Sequence, residues 1–479
     1  MGGLAAKRRR RMWIWFSVTL VVLLVAGGGV LFALKPWTPE FRHGGLTIAQ
    51  PPASAHPFPQ VAPAPSNAPA PSTSGIAAAL GSVVGNPDLG AFAGEVTDAD
   101  GSSVLWSGEA DKPMIPSSTA KILTTATALL EMPPDHRVTT RVVAGATPNE
   151  LVLVGSGDPT LTAQPDGNGY YTNPGRLQDL VTQIRSAGAA ADTIVVDTSA
   201  YSGPTMAPGW DPIDIGDGSI APIEPVMIDG GRLDPLVEYS PRTATPALDT
   251  GRRLATELGL DPARVRIGAA APGAREIAAV HSAPLRDRLH DMMVHSDNIL
   301  AETIGREIAV MTGFDQSFTG AVAAVTAGLT KAGFDLTGMS MHDNSGLSTE
   351  DRVPPRLLNK VLSTAAKPSG SGVVQPTGTM AQPETDQLAV TLAPLLDDLP
   401  VAGSTGSLIS RYVDRNREGA GWVRAKTGTL SVASALVGYV LDRDGRVLTF
   451  ALMSNDRPPE VSRPALDAIA GTLRNCGCT

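Results

Sequence analysis

Residues 116–121 read PSSTAK, and the apolar run ILTTATALLEM (122–132) follows without a break. The run forms helix readily and must stop at Pro133-Pro134. On a helix, positions i and i+3 share a face, so Lys121 is expected beside Ser118. A serine hydroxyl becomes an effective nucleophile when a neighbouring base takes its proton. The start of a helix also offers free backbone N–H groups and a dipole that favour developing negative charge. The pair therefore reads as nucleophile and base at the head of a helix.

A serine three residues before a lysine arises often by chance, so the rest of the chain has to support the pair. The chain has eight lysines, and Lys121 alone has serine three positions before it. Asn298 alone among the asparagines has serine two positions before it, in Ser296-Asp297-Asn298. Lys426 alone is followed by Thr-Gly, in Lys426-Thr427-Gly428-Thr429. Taken singly, Ser118 fits a helix cap, Ser296–Asn298 a turn and Lys426 a solvated charge. Together and in this order, the three motifs are the set used by penicillin-binding proteins and serine β-lactamases. SDN falls at a break between apolar helical runs within 285–311, as a short loop facing a cleft would. GWVRAKTGTL (421–430) reads as an edge strand able to offer backbone groups to an extended peptide.

Outward from these motifs, AFAGEVT (91–97), the turn DADG (98–101) and SSVLW (102–106) read as a hairpin, and so do ASALVGYVL (433–441) and RVLTFALMS (446–454) across DRDG. Strands at both ends with helices between predict an α/β layer domain whose sheet draws on both termini. The region from about 140 to 280 mixes strands such as LVLVG (151–155) and TIVVD (193–197) with Gly and Pro turns, as an insertion would.

At 479 residues the chain is long enough for more than one unit. Its net charge of −9 argues against nucleic acid as a partner. Lys7–Arg11 precede an uncharged stretch from Met12 to Leu34, long enough to span a bilayer with the basic block cytoplasmic. A cleaved signal peptide is the rival reading, and either way the remainder is exported. A Pro/Ala/Ser-rich segment, about 50–74, reads as an extended spacer. Cys476 and Cys478 either pair or stay free, and two ligands alone make a poor metal site.

The chain resembles the D-alanyl-D-alanine carboxypeptidases of the low-molecular-mass class C type, the penicillin-binding protein 4-like family. PSSTAK is close to that family's P-A-S-T-x-K, with Ser117 where alanine is usual. GSGDPTLT (155–162), HDNSGLSTEDRVPP (342–355) and LPVAGSTGSLISRY (399–412) resemble further family segments, with Asn344 for glycine and Ser407 for threonine. The resemblance implies a serine β-lactamase/transpeptidase-like domain, an antiparallel sheet flanked by helices, with an inserted, strand-rich second domain. The corresponding division is 1–11 basic tail, 12–34 anchor, 35–76 linker, 77–140 with 281–479 catalytic, and 141–280 inserted.

It also implies acyl transfer on peptidoglycan stem peptides ending in D-Ala-D-Ala, with cleavage of D-alanyl cross-links as a related activity. In that scheme Ser118 attacks and Lys121 is the base. Ser296 relays the proton, Asn298 holds the substrate amide, and Lys426, Thr427, Gly428 and Thr429 bind the terminal carboxylate. β-Lactams would acylate the same serine. No cofactor or metal is required. A class A β-lactamase would carry a glutamate in an E-x-x-L-N segment beyond SDN, and none follows Asn298. An α/β-hydrolase would need a G-x-S-x-G elbow, and the chain has none. A non-catalytic wall-binding scaffold is the remaining alternative.

Overall fold

The structure is a computed structural model that describes residues 3–34, 68–99, 103–367 and 383–478. Residues 1–63 and 64–479 form two separate units. In the first, helix α1 (Gly3–Leu34) begins ahead of the basic block and takes it in. Its stretch Trp15–Leu34 is long and apolar enough to cross a membrane. The spacer expected before the folded part lies, over 35–67, outside the described residues, as do Asp100 and Gly101 of the first hairpin turn.

The second unit opens with helix α2 (Thr73–Leu80), strands β1 (Ala91–Asp98) and β2 (Ser103–Gly108), and helix α3 (Lys121–Glu131). Next come β3 (Thr139–Ala144), β4 (Glu150–Val154), α4 (Leu177–Ser186), β5 (Thr193–Asp197), α5 (Pro246–Leu258), β6 (Arg266–Ile267) and β7 (Glu276–His281). The chain then runs through α6 (Leu285–His295), α7 (Asn298–Thr312), α8 (Phe318–Lys331), α9 (Pro355–Ala365) and α10 (Pro383–Leu392). It ends with β8 (Val423–Leu430), β9 (Ala433–Leu441), β10 (Val447–Asn455) and α11 (Pro459–Asn475).

The first sheet has the order β2-β1-β10-β9-β8, antiparallel throughout. It joins strands from both ends of the folded unit, as the two hairpin patterns predict. Alternation along the strands sorts their side chains to two faces. Ala435, Val437, Ala451 and Met453 pack with α3, α7, α8 and α9. Leu436, Val440, Phe450 and Leu452 pack with α2 and α11. The result is a helix–sheet–helix sandwich.

Packing starts earlier than the sequence places it. Ala68 is buried, and Ser72 caps α2 by accepting from the Gly75 N–H at 3.0 Å. The Ser72 N–H bonds the Cys478 carbonyl at 2.7 Å, and Cys476 and Cys478 are joined as a disulfide.

The second sheet has the order β6-β5-β4-β3-β7. Its β4-β5-β6 portion is parallel, with α4 and α5 as the crossovers, and β3 and β7 add antiparallel neighbours. The inserted domain is thus more helical than its Gly- and Pro-rich sequence suggests. The reason is visible in α4, where Leu177, Leu180, Val181 and Ile184 form one buried stripe. Strands β3 and β7 straddle the cuts expected at 140/141 and 280/281, so pairing carries the sheet slightly past both. Between β5 and α5 a long irregular segment, 198–245, returns towards SDN.

Candidate active site

Ser118 lies in a single 3₁₀ turn (Ser117–Ala120) that feeds α3. The preceding Ser117 is fully buried with φ at 48°, a left-handed conformation that L-residues adopt at a cost. Two glycines press on it. A Cβ on Gly346, where φ is 78°, would stand 1.9 Å from the Ser117 carbonyl oxygen. A Cβ on Gly428 would lie 2.7 Å from the Pro116 oxygen and 2.9 Å from the Ser117 Cβ. The turn is therefore clamped between the 342–348 loop and β8, and only glycine allows the approach from either side.

Lys121 comes to Ser118 as the i, i+3 spacing requires. Its Nζ donates to Ser118 Oγ at 3.0 Å, to Asn298 Oδ1 at 2.6 Å and to the Ser345 carbonyl at 2.8 Å. The side chain is completely buried. Burial pushes its ammonium down to about 8, against the opposing pull of Asp343, Glu302 and Asp297. A lysine so placed is neutral often enough near neutrality to accept a hydroxyl proton.

SDN is the junction of two helices. Ser296 ends α6 in the left-handed region at φ 59°, and Asp297 caps α7 by accepting from the Leu300 N–H at 2.9 Å. Asn298 faces both ways, accepting from Lys121 and donating from Nδ2 to the Ser219 carbonyl at 3.1 Å. Ser296 Oγ accepts from Lys426 Nζ at 2.8 Å. Lys426 is also fully buried, and burial, then the nearby Lys121, holds it well below the usual lysine range.

β8 is an edge strand, and its outer side is only partly taken. The Ala425 N–H bonds the Pro400 carbonyl, and the Ala402 N–H bonds the Val423 carbonyl. Backbone groups alternate along an antiparallel strand, so those of Thr427 and Thr429 face the same outer side. Lys426 Nζ bonds the Thr427 carbonyl at 3.0 Å. Thr427 Oγ1 donates to Ser407 Oγ at 2.7 Å, and Thr429 Oγ1 accepts from Arg463 Nε at 3.2 Å.

All the residues singled out from the sequence thus converge. Ser118, Ser296, Asn298, Thr427 and Thr429 line a cleft of about 410 Å³. Lys121, Gly428 and Lys426 lie buried beneath or beside it. A larger cavity of about 530 Å³, lined by His136, Arg141, His281 and Met311 among others, holds none of the motif residues.

Several site residues escape motif reading. Arg232 and Ser219 come from the irregular 198–245 segment, and Arg463 from α11. Behind Lys121 sits a buried acidic cluster in the 342–351 loop and α7. Asp343 accepts from the Ser345, Gly346 and Ser348 N–H groups and from Trp210 Nε1 at 2.7 Å. Glu302 accepts from the Asn344 and Ser345 N–H groups. Burial, with Asp343 beside it, raises Glu302 above the usual carboxylate range. The run HDNSG marks the loop in the sequence, yet nothing in one sequence marks Glu302 as its partner. Among the described residues no group of His, Cys, Asp and Glu is placed to hold a metal ion.

The chain matches the D-Ala-D-Ala carboxypeptidase 3 (S13) family over residues 76–242 and 235–476. It is 50% identical over 411 residues to a carboxypeptidase of Mycobacterium tuberculosis, covering 85% of each chain. It is 45% identical over 477 residues to carboxypeptidase DacB of Mycolicibacterium smegmatis, covering 98% of each. Among solved structures it is similar to penicillin binding protein 4 (dacB) from Haemophilus influenzae. There the TM-score is 0.65 at 19% identity, over 84% of this chain and 98% of that one, a likeness of fold.

Proposed function

The chain belongs to the D-Ala-D-Ala carboxypeptidase 3 (S13) family, and from that membership we propose how its own residues carry out serine-type D-Ala-D-Ala hydrolysis. Ser118 Oγ attacks the carbonyl carbon of the penultimate D-alanine of a peptidoglycan stem peptide. Lys121, neutral, takes the hydroxyl proton. The observation that carries the reading is the 3.0 Å contact between Lys121 Nζ and Ser118 Oγ, with that lysine depressed to about 8 by burial. The N–H groups of Ser118 and Thr429 stabilise the oxyanion; that of Thr429 faces the outer side of β8. Ser296, bridged to Lys426, passes a proton to the departing amine. As the C–N bond breaks, free D-alanine leaves, and an ester on Ser118 remains. Water then cleaves the ester and restores the serine.

Asn298 holds the substrate amide. Lys426, Thr427 and Thr429 bind the terminal carboxylate, and Gly428 lets β8 approach the nucleophile turn. The same serine would be acylated by β-lactams. In the matching topology, α1 anchors the chain with Lys7–Arg11 on the cytoplasmic side and the catalytic domain outside. The cuts at 140/141 and 280/281 are proposed as the joints of catalytic and inserted domains, moved to the ends of β3 and β7.

The test uses the full chain in detergent, wild type and Ser118→Ala. Each is incubated with a fluorescent penicillin and with a pentapeptide ending in D-Ala-D-Ala. Stable labelling and D-alanine release are expected from the wild type alone. Labelling of Ser118→Ala at the wild-type level would remove Ser118 from the mechanism.

A further inference from the structure

We propose that Arg232, contributed by the inserted domain, is a positioning residue that holds the Ser296-Asp297-Asn298 turn in its reactive geometry through Asp297. The inference rests on the site assignment above and extends it to a residue outside all three motifs.

Arg232 follows Asp229, Gly230 and Gly231, whose φ values of 52°, 62° and 76° turn the chain sharply. A Cβ on Gly230 would lie 2.4 Å from Tyr171 Oη and 3.0 Å from Arg232 Nη1, so this glycine keeps the approach open. Arg232 Nη1 donates to Tyr171 Oη at 2.9 Å, and Nη2 donates to Asp297 Oδ2 at 3.2 Å. Tyr171 Oη donates to the same Oδ2 at 2.9 Å. The guanidinium carbon lies 3.7 Å from the centre of the Tyr170 ring, a stacking that a lysine cannot reproduce.

The Asp297 carboxylate is thus fixed at both oxygens, one to the first turn of α7 and one to the inserted domain. Burial alone would raise its carboxyl, but Arg232, Arg242 and the hydrogen bonds from the Leu300 N–H and Tyr171 together outweigh burial and hold it below the usual range. On the other flank, Asn298 Nδ2 is held by the Ser219 carbonyl of the same inserted segment. Two of the three SDN residues are therefore gripped from the inserted domain. The third, Ser296, is in a left-handed conformation that costs energy and persists only where its neighbours impose it. Arg232 and Asp297 side chains are 1% and 3% exposed, so removing one partner strands a buried charge.

Arg232 also lines the cleft, so a direct substrate contact is the competing role. The experiment compares full-chain wild type with Ser118→Ala, Arg232→Met, Arg232→Lys and the double variant Arg232→Met/Asp297→Asn. It measures the rate of labelling by fluorescent penicillin, kcat and KM for D-alanine release, and the melting temperature, with kinetics taken below the lowest melting point. Arg232→Met is expected to lower the labelling rate and kcat about tenfold or more with KM within about twofold. The double variant is expected to regain at least about threefold of that loss, since asparagine still caps α7 and no charge is stranded. Arg232→Lys should fall between wild type and Arg232→Met. A rise in KM with kcat unchanged would make Arg232 a substrate contact and overturn the proposal. Wild-type rates in folded Arg232→Met, or a double variant no faster than the single, would overturn it equally. Failure of the site assignment itself has a separate signature, label on Ser118→Ala.

Discussion

Ser117 sits beside the proposed nucleophile with φ at 48° and is fully buried, and its Oγ finds no hydrogen-bond partner among the described residues. The resembling family motif has alanine there. A buried hydroxyl without a partner costs about 1 kcal/mol or more, and serine and alanine tolerate a left-handed backbone about equally badly. Ser117→Ala is therefore expected to raise stability by about 1 kcal/mol, measured by thermal or urea unfolding, with penicillin labelling retained. A drop in stability would mean that the hydroxyl has a partner. One step deeper, Glu302 supports the charged form of Lys121 across the Ser345 peptide. Acylation should rise with pH through about 8 as Lys121 loses its proton. Glu302→Gln removes a charge that favours the ammonium, so the midpoint should move to lower pH. A labelling-rate profile against pH checks this, and an unmoved midpoint would take Lys121 out of the role of titrating base.

Elements fix what single residues cannot. β8 reaches the nucleophile turn because Gly428 has no Cβ to meet the Pro116 oxygen. Gly428→Ala should push the strand outward, leaving the sheet paired but misplacing Thr429 against Ser118. Since misplacement of about 1 Å costs about a hundredfold in rate, labelling should slow by that order while the circular dichroism spectrum stays unchanged. Both hairpins of the first sheet were legible in the sequence because apolar and polar residues alternate on either side of a turn. Lys121 was legible beside Ser118 because helical spacing is local. The αL residue Ser296 was not, since the break between α6 and α7 shows no Gly or Pro. Helices α4 and α5 were hidden among turn residues, although the stripe of α4 follows the ordinary i, i+3, i+4 rule. Ser219, Arg232 and Arg463 reach the cleft only through tertiary folding, and no local pattern marks them.

Across the whole molecule, the site concentrates titratable groups that folding holds away from their ordinary charge states, which couples stability to pH. Burial, then Asp343, pushes the Asp351 carboxyl up to about 10 from an ordinary 3.8. Its folded pKa lies above the unfolded value, so the stabilisation is fully present below about pH 4 and is lost as pH rises towards 10. The limiting slope for one such group is about 1.4 kcal/mol per pH unit. Lys121 has the opposite sense. Its pKa falls on folding from 10.5 to about 8, so it imposes a penalty that is full below pH 8 and fades by pH 10.5. Between pH 8 and 10 the Lys121 slope opposes that of Asp351; Lys426, also held well below its ordinary range by burial, opposes it in the same sense, and the raised Glu302 acts in the sense of Asp351. Asp351→Asn keeps an acceptor for the His342 N–H, bonded at 2.6 Å, and can still donate to Asp343, but it cannot ionise. Relative to the wild type, its stability should therefore gain up to about 1.4 kcal/mol per pH unit between pH 5 and 8. Urea unfolding of both proteins at pH 5, 6, 7 and 8 measures the difference, and parallel slopes would show that Asp351 is already ionised in the folded protein.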